Sequence, residues 1–247
     1  MYRFFAGPEQ FRDGKVFLAT EEAYHLRKVL RLESGTMVRV FNGRGHEYQV
    51  QLTVETSGRV WGQVVAEIDV LKEPKLKVTL AQGLAKREKN ELVVQKATEI
   101  GVQAVIPVAC ERSVVKLSRK STREDRLRRA AREAAKQCGR AVVPVVEPAC
   151  AFRDLPARFN AFDAVLLCWE EEGSTDLKRA LQQLRRQPLE NLLVLVGPEG
   201  GFTLAEVHTA REHGARSVSL GPRILRTETA GLVALTAILY EFDELEP

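Results

Sequence analysis

The chain is 247 residues long, 45% hydrophobic and 28% charged, with a formal net charge of +4. Those figures describe a globular chain able to bury a core, as one large domain or two small ones, and exclude a low-complexity polymer. The mild basicity permits a nucleic-acid partner without requiring one, and no apolar run approaches the ~20 residues of a membrane span. The opening MYRFFAGPEQ carries one basic residue and too short an apolar run for a signal peptide. Cys110, Cys138, Cys150 and Cys168 lie far apart with no C-x-x-C pair, which argues against a zinc or thioredoxin motif and fits a reducing cytoplasm.

The first seventy or so residues alternate as a small β domain does. Strands are expected at 15–19, 36–41, Glu47–Val54 and Val60–Ile68, and Asn42-Gly43 after MVRVF signals a hairpin, since both residues tolerate φ > 0. One amphipathic helix is expected at 21–32, with Ala23, Leu26 and Leu30 on one face and Arg27, Lys28 and Arg31 on another. A small β-barrel with one helix follows. Pro74 and its charged flanks read as a linker, which divides the chain into 1–72 and 73–247.

Beyond the linker, strand-like and helix-like segments alternate. Strands are expected at 76–81, 104–108, 164–169, 192–196 and 217–220, and helices at 88–100, 124–138, 177–185, 204–213 and 228–240. Continuous apolar runs such as LLVLV indicate strands buried on both faces, as in a parallel sheet, and the βαβα order gives an α/β fold. Ser121-x-x-Glu124 and Thr203-x-x-Glu206 read as capping boxes, and Gly101, Gly139 and Gly214 stand where helices end.

Two glycine-rich loops are the first candidates for chemistry. GPEGGF at 197–202 follows LLVLV and precedes a capped helix, where exposed N–H groups can hold a ligand. It is neither a Walker A nor a G-x-G-x-x-G motif. Taken alone, such a turn is as often structural as functional. LGPRILRTETAG at 220–231 is the second loop, with Arg223 and Arg226 flanking Ile224-Leu225. The plain reading of Glu228 is a favourable charge at a helix N-terminus, worth about 0.3–1 kcal/mol. The basic run at 116–140 includes Lys116, Arg119, Lys120, Arg123, Arg126, Arg128, Arg129, Arg132, Lys136 and Arg140. Such a run is commonly a solvated face, but its one-sided excess fits phosphate contact equally well. His208 and His213 are five apart, not the four that suit a metal on one helix face, and no G-x-S-x-G elbow supports hydrolase chemistry.

GPEGGFTLAE, LGPRILRTETA, EAAKQCGR and QKATEIGV, with RFF at Arg3–Phe5 and HLRKVLR at 25–31, resemble the ribosomal small subunit RNA methyltransferase E family of the SPOUT superfamily. The resemblance covers nearly the whole chain; Ile100, where the family often has Leu, is a departure without consequence. It implies S-adenosylmethionine-dependent methylation of N3 of a 16S rRNA uridine in the small ribosomal subunit. It implies a PUA-like β-barrel RNA-binding domain, a C-terminal α/β domain with a deep trefoil knot, and a cytoplasmic homodimer without metal or membrane partner.

The resemblance also implies a site. The methyl donor would be gripped by Leu167, Trp169, Gly197, Pro198, Glu199, Gly200, Gly201, Leu220, Gly221, Ile224 and Leu225. Arg226 would carry the electrostatic role, with Glu228 or Glu199 as proton acceptor, the choice left open. Arg3, Arg27, Lys28, Arg31, Arg112, Arg126, Arg129 and Arg132 would hold RNA. The rivals are a nucleotide-binding oxidoreductase, which lacks its fingerprint here; a non-catalytic ribosome-assembly factor, which needs no donor pocket; and a SPOUT enzyme with another RNA target.

Overall fold

Alternation of apolar and polar side chains sets the first sheet. In MVRVF, Val38 and Val40 are fully buried while Arg39 is exposed, each buried valine contributing about 1.5–3 kcal/mol. The protein is described from a computed structural model covering residues 1–115 and 121–246. The chain divides into two compact units: Met1–Glu73 with Arg132–Val143, and Pro74–Ala131 with Pro144–Pro247.

The first unit holds β1 (Arg3–Phe5), β2 (Phe11–Arg12), β3 (Lys15–Phe17), β4 (Met37–Phe41), β5 (Glu47–Val54) and β6 (Val60–Ile68). Their order is β1-β4-β5-β6-β3-β2, antiparallel except for the β1–β4 pair. The sheet curls around Phe4, Val16, Val38, Val40, Val50, Leu52 and Val60. The Asn42-Gly43 signal does mark the β4–β5 hairpin: Asn42 Oδ1 accepts from the Arg44 and His46 N–H groups at 2.8 and 3.2 Å, and Gly43 has φ +75.

The single helix expected at 21–32 is instead α1 (Thr20–Tyr24) followed by a π-helical turn, His25–Val29. Leu30 N–H donates to His25 O at 3.0 Å, five residues back, and Arg31 takes φ +55. The wider turn keeps Leu26 fully buried while Lys28 and Val29 stay exposed.

The second unit contains β7 (Lys77–Gly83), β8 (Ala104–Ala109), β9 (Val145–Val146), β10 (Cys150–Ala151), β11 (Ala164–Cys168), β12 (Asn191–Val196) and β13 (Arg216–Val218). Its helices are α2 (Arg87–Ile100), α4 (Leu177–Leu184), α5 (Leu204–Glu212) and α6 (Thr227–Glu241). Helix α3 (Ser121–Cys138) begins in this unit and gives its last turns to the first. The Ser121 side chain of the expected first capping box, and Lys116, Arg119 and Lys120 of the basic run, lie outside the described residues. The second capping box is present: Thr203 Oγ1 accepts from Glu206 N–H at 3.2 Å, and a Glu206 carboxylate oxygen accepts from Thr203 N–H at 2.9 Å.

Every pair in the second sheet is parallel, in the order β10-β8-β7-β12-β11-β13, with β9 also on β8. The α/β architecture expected from LLVLV is therefore observed, and Leu192–Val196 is buried throughout. One face carries Ile106, Leu167, Leu193 and Leu195 against Phe152, Phe202 and Val207. Helix α6 packs on β7 and β12, beside α2 and α4. Strand β12 follows β11 in the chain yet lies between β7 and β11, and β13 then takes the outer side of β11. This reversal of strand order brings the loops after β11, β12 and β13 together at the carboxyl ends, where α/β sheets bind ligands.

Candidate active site

Those three loops line a cavity of about 680 Å³. The loop after β12 is shaped by glycine. Gly201, at φ +68, closes a turn by donating its N–H to Pro198 O at 3.0 Å. Gly83, at the end of β7, lets the same loop press close: a Cβ there would stand 2.3 Å from Pro198 N. The Thr227 hydroxyl donates to Gly197 O and accepts from Gln82 Nε2 at 2.7 Å, tying this loop to β7 and to the first turn of α6. From outside, Arg112 Nη1 donates to Gly200 O at 3.2 Å and Phe202 O at 3.4 Å.

The loop after β11 is organised by Glu172. One carboxylate oxygen accepts from the N–H and hydroxyl of Ser174 and from Thr175 N–H; the other accepts from Ser217 Oγ and from Arg211 Nη2 at 2.6 Å. The Ser174 hydroxyl, then the Ser217 hydroxyl, hold this carboxyl down to about 2. Arg211 also stands 5.3 Å from the centre of the Trp169 ring, so one wall joins β11, α5 and β13. The loop after β13 is linked to it: Ser219 N–H donates to Thr175 O at 2.9 Å, and Leu177 N–H to Ser219 O at 3.0 Å.

A charged cluster completes the site. Lys89, from the first turn of α2, places its Nζ 3.4 Å from Glu199 Oε1 and 3.3 Å from Glu228 Oε2. Burial pushes the Glu199 carboxyl up, but backbone N–H donors, Lys86's among them at 3.2 Å, and the Lys89 ammonium outweigh it and hold Glu199 below the usual carboxylate range.

Of the residues expected to grip the donor, Trp169, Gly197, Pro198, Glu199, Gly201, Leu220, Gly221, Ile224 and Leu225 face the cavity, as does Arg226. Leu167 and Gly200 of that set stand outside its lining, as does Glu228, one of the two expected proton acceptors. Leu167 is a core residue with 1% exposure, because alternation along β11 turns it into the sheet's packed face. Gly200 turns its back to Arg112, and Glu228 pairs with Lys89, which does line the cavity. Lys89, Glu172 and Gln82 were not singled out by sequence reasoning. They lie on other elements, and no spacing connects them to the glycine loops.

The basic candidates separate by environment. Arg3 is taken up within its unit: it pairs bidentately with Glu47 at 3.0 and 2.8 Å and donates to the carbonyls of Ala135, Lys136 and Arg140. Arg27 donates to Gly58 O at 3.0 Å. Arg126 pairs with Glu91 at 3.5 Å, while Arg132 pairs with Glu21 at 3.6 Å and covers the Phe5 ring. Lys28, Arg31, Arg112 and Arg129 are exposed. Among the described residues no group of three or more His, Cys, Asp or Glu could hold a metal ion, and no helix is long and apolar enough to cross a membrane.

Two family models match the chain, an RNA methyltransferase domain over residues 72–239 and an RNA methyltransferase PUA domain over residues 18–65. The chain is 36% identical to the Ribosomal RNA small subunit methyltransferase E of Bacillus subtilis, over 96% of this chain and 94% of that one. Its fold is similar to that of a Ribosomal RNA small subunit methyltransferase E from Neisseria gonorrhoeae bound to S-adenosyl methionine, with a TM-score of 0.86, 32% identity and 97% of each chain covered. It is similar also to a putative methyltransferase from Legionella pneumophila in complex with the bound cofactor SAM, with a TM-score of 0.85, 28% identity and 96% of each chain covered. A domain match over most of the chain and a relative at this identity over nearly its whole length place the protein: it belongs to the ribosomal RNA small subunit methyltransferase E family.

Proposed function

We propose that the protein methylates N3 of a uridine in the 16S RNA of the small ribosomal subunit, with S-adenosylmethionine as donor, and works as a cytoplasmic homodimer. The observation that carries this reading is the cavity at the carboxyl ends of β11, β12 and β13 with its glycine cradle. Its volume of about 680 Å³ falls among those of small-molecule sites. The tight turn of that cradle requires glycine: a Cβ on Gly197 would already stand 3.2 Å from the Gly201 backbone, and Gly201 takes φ +68. The strand order, with α6 returning against β7 and β12, supports the trefoil knot. The exposed Leu92 on α2 and Val233 and Tyr240 on α6 support pairing of two copies.

When bound, S-adenosylmethionine supplies an already activated methyl group. The chain must then handle the acceptor. A uracil N3–H ionises a few pKa units above neutral, which costs roughly 3–4 kcal/mol at pH 7 at about 1.36 per unit. The Arg226 guanidinium, at the cavity wall, stabilises negative charge developing on the uracil oxygens. A carboxylate of the Glu199–Glu228 pair takes the N3 proton. Glu199 faces the cavity, and its backbone N–H donors and the Lys89 ammonium hold it below the usual carboxylate range. Arg112, Arg129, Lys28 and Arg31 would hold RNA phosphates, supplying affinity rather than base choice, and the acceptor base must be unpaired or flipped out.

The test is transfer of label from S-adenosylmethionine to small subunits that lack their own modification, with mass-spectrometric mapping of the product. Label on N3 of one 16S uridine supports the reading. Label at another atom or on another RNA keeps the donor site and moves the target. Absence of both label and donor binding overturns it.

A further inference from the structure

We propose that Lys89 is a positioning residue for methyl transfer. Its ammonium clasps Glu199, on the loop after β12, to Glu228, on the first turn of α6, and so fixes the cavity-lining Glu199 carboxylate against α6. This rests on the methyltransferase reading above. The geometry is specific. The Lys89 Nζ lies 3.4 Å from one carboxylate and 3.3 Å from the other, and Lys89 itself lines the cavity. The two carboxylates belong to different elements, the loop after β12 and the first turn of α6, and the cluster joins both to α2.

The partners of the two carboxylates are unequal. Glu199 Oε1 also accepts from Lys86 N–H, whereas Glu228 Oε2 is enclosed and has the Lys89 ion pair and no hydrogen bond. Burial lowers the affinity of Lys89 for its proton, but Glu228 and Glu199 outweigh it and raise that affinity above the ordinary value, so Lys89 is an ammonium at neutral pH. The other charged groups on the cavity wall are Arg223 and Arg226 from the loop after β13, Glu170, Glu172 and Asp176 from the loop after β11, and Arg179 from the first turn of α4. Lys89 is the cation within ion-pair distance of both Glu199 and Glu228 among the described residues. Without it, Glu199 and Glu228 lose the cation that they share. Like charges in one site raise a carboxyl pKa, and a carboxyl that holds its proton cannot take one from N3.

The experiment measures methyl transfer to undermodified small subunits as a function of pH for wild type, Lys89→Met, Lys89→Arg and the double variant Lys89→Met/Glu199→Gln, alongside donor affinity by calorimetry. Lys89→Met is expected to lower kcat by about tenfold or more and to move the acid limb of the profile upward by about one pH unit. Donor Kd should change less than kcat. Lys89→Arg, whose fork can reach both carboxylates, should recover most of the rate, and the double variant should return the acid limb toward the wild-type position. An acid limb unmoved in a folded, donor-binding Lys89→Met protein would overturn the clasp. A Lys89→Arg enzyme as slow as Lys89→Met would overturn it too. Wild type that neither binds donor nor methylates subunits would instead overturn the functional reading, and the two failures are distinct.

Discussion

Replacing Glu172 by Gln tests how the cavity wall is held. In the wild type both carboxylate oxygens are fully engaged, one by three donors of the Ser174–Thr175 turn, the other by Ser217 and Arg211. An amide places an N–H₂ where one set of donors points, so one side of the clasp is lost whichever way it turns. The carboxyl is held from its ordinary 4.5 down to about 2, first by the Ser174 hydroxyl and then by that of Ser217. At about 1.4 kcal/mol per pKa unit that interval corresponds to about 3 kcal/mol, which solvent in the cavity mouth screens to about 1–2 kcal/mol. Because the folded pKa is lowered, this stabilisation is fully present above the unfolded value and is lost as pH falls from 4.5 towards about 2. Urea unfolding should therefore find Glu172→Gln less stable by about 1–2 kcal/mol near pH 7, with the difference shrinking below about pH 4.5. Donor affinity should fall along with it, since the Glu172 loop is a wall of the cavity. Equal stability near neutral pH, or a deficit that does not change with pH, would refute the view that an ionised carboxylate holds this wall.

Other substitutions have equally definite outcomes. Gly83→Ala places a Cβ 2.3 Å from Pro198 N, against backbone that cannot rotate away, so calorimetry should show donor affinity reduced by about tenfold or more while the fold survives. Arg3→Ala leaves Glu47 buried without its cation, so chemical unfolding should show a loss of about 3 kcal/mol or more; the salt dependence of RNA binding should be unaltered. The triple change Arg126→Ala, Arg129→Ala and Arg132→Ala should flatten the salt dependence of RNA binding by a slope of at most about 2. Two of these side chains already hold carboxylates, Glu91 and Glu21, so the measured loss should be below that ceiling, and donor affinity should not change.

Much of the fold was legible because short-range physics wrote it. The limits of β5 and β6 follow from alternation between turn residues, and the ends of α5 follow from its capping box and the Gly214 beyond it. Where long-range partners decided the structure, local reading failed. The strand Arg3–Phe5 pairs in parallel with β4 and has no local turn to announce it. At 21–32 the apolar spacing called for one α-helix, but burying Leu26 in the barrel selected a wider turn at His25–Val29.

The site divides along the same line. A wall built from backbone needs glycine wherever chain meets chain or φ turns positive, so the loops at Gly197–Gly201 and Gly221 could be found from residue type alone. Side-chain partners carry no such mark. Lys89 reads as one more polar residue in the first turn of α2, and Glu172 as one carboxylate in a run of three. Their partners are Glu199, Glu228, Ser217 and Arg211, between 39 and 139 residues further along the chain. Only the insertion of β12 between β7 and β11 brings these elements to one edge. The topology therefore does chemical work here: it converts ordinary helix and loop charges into a cluster whose protonation depends on neighbours that the linear order keeps apart.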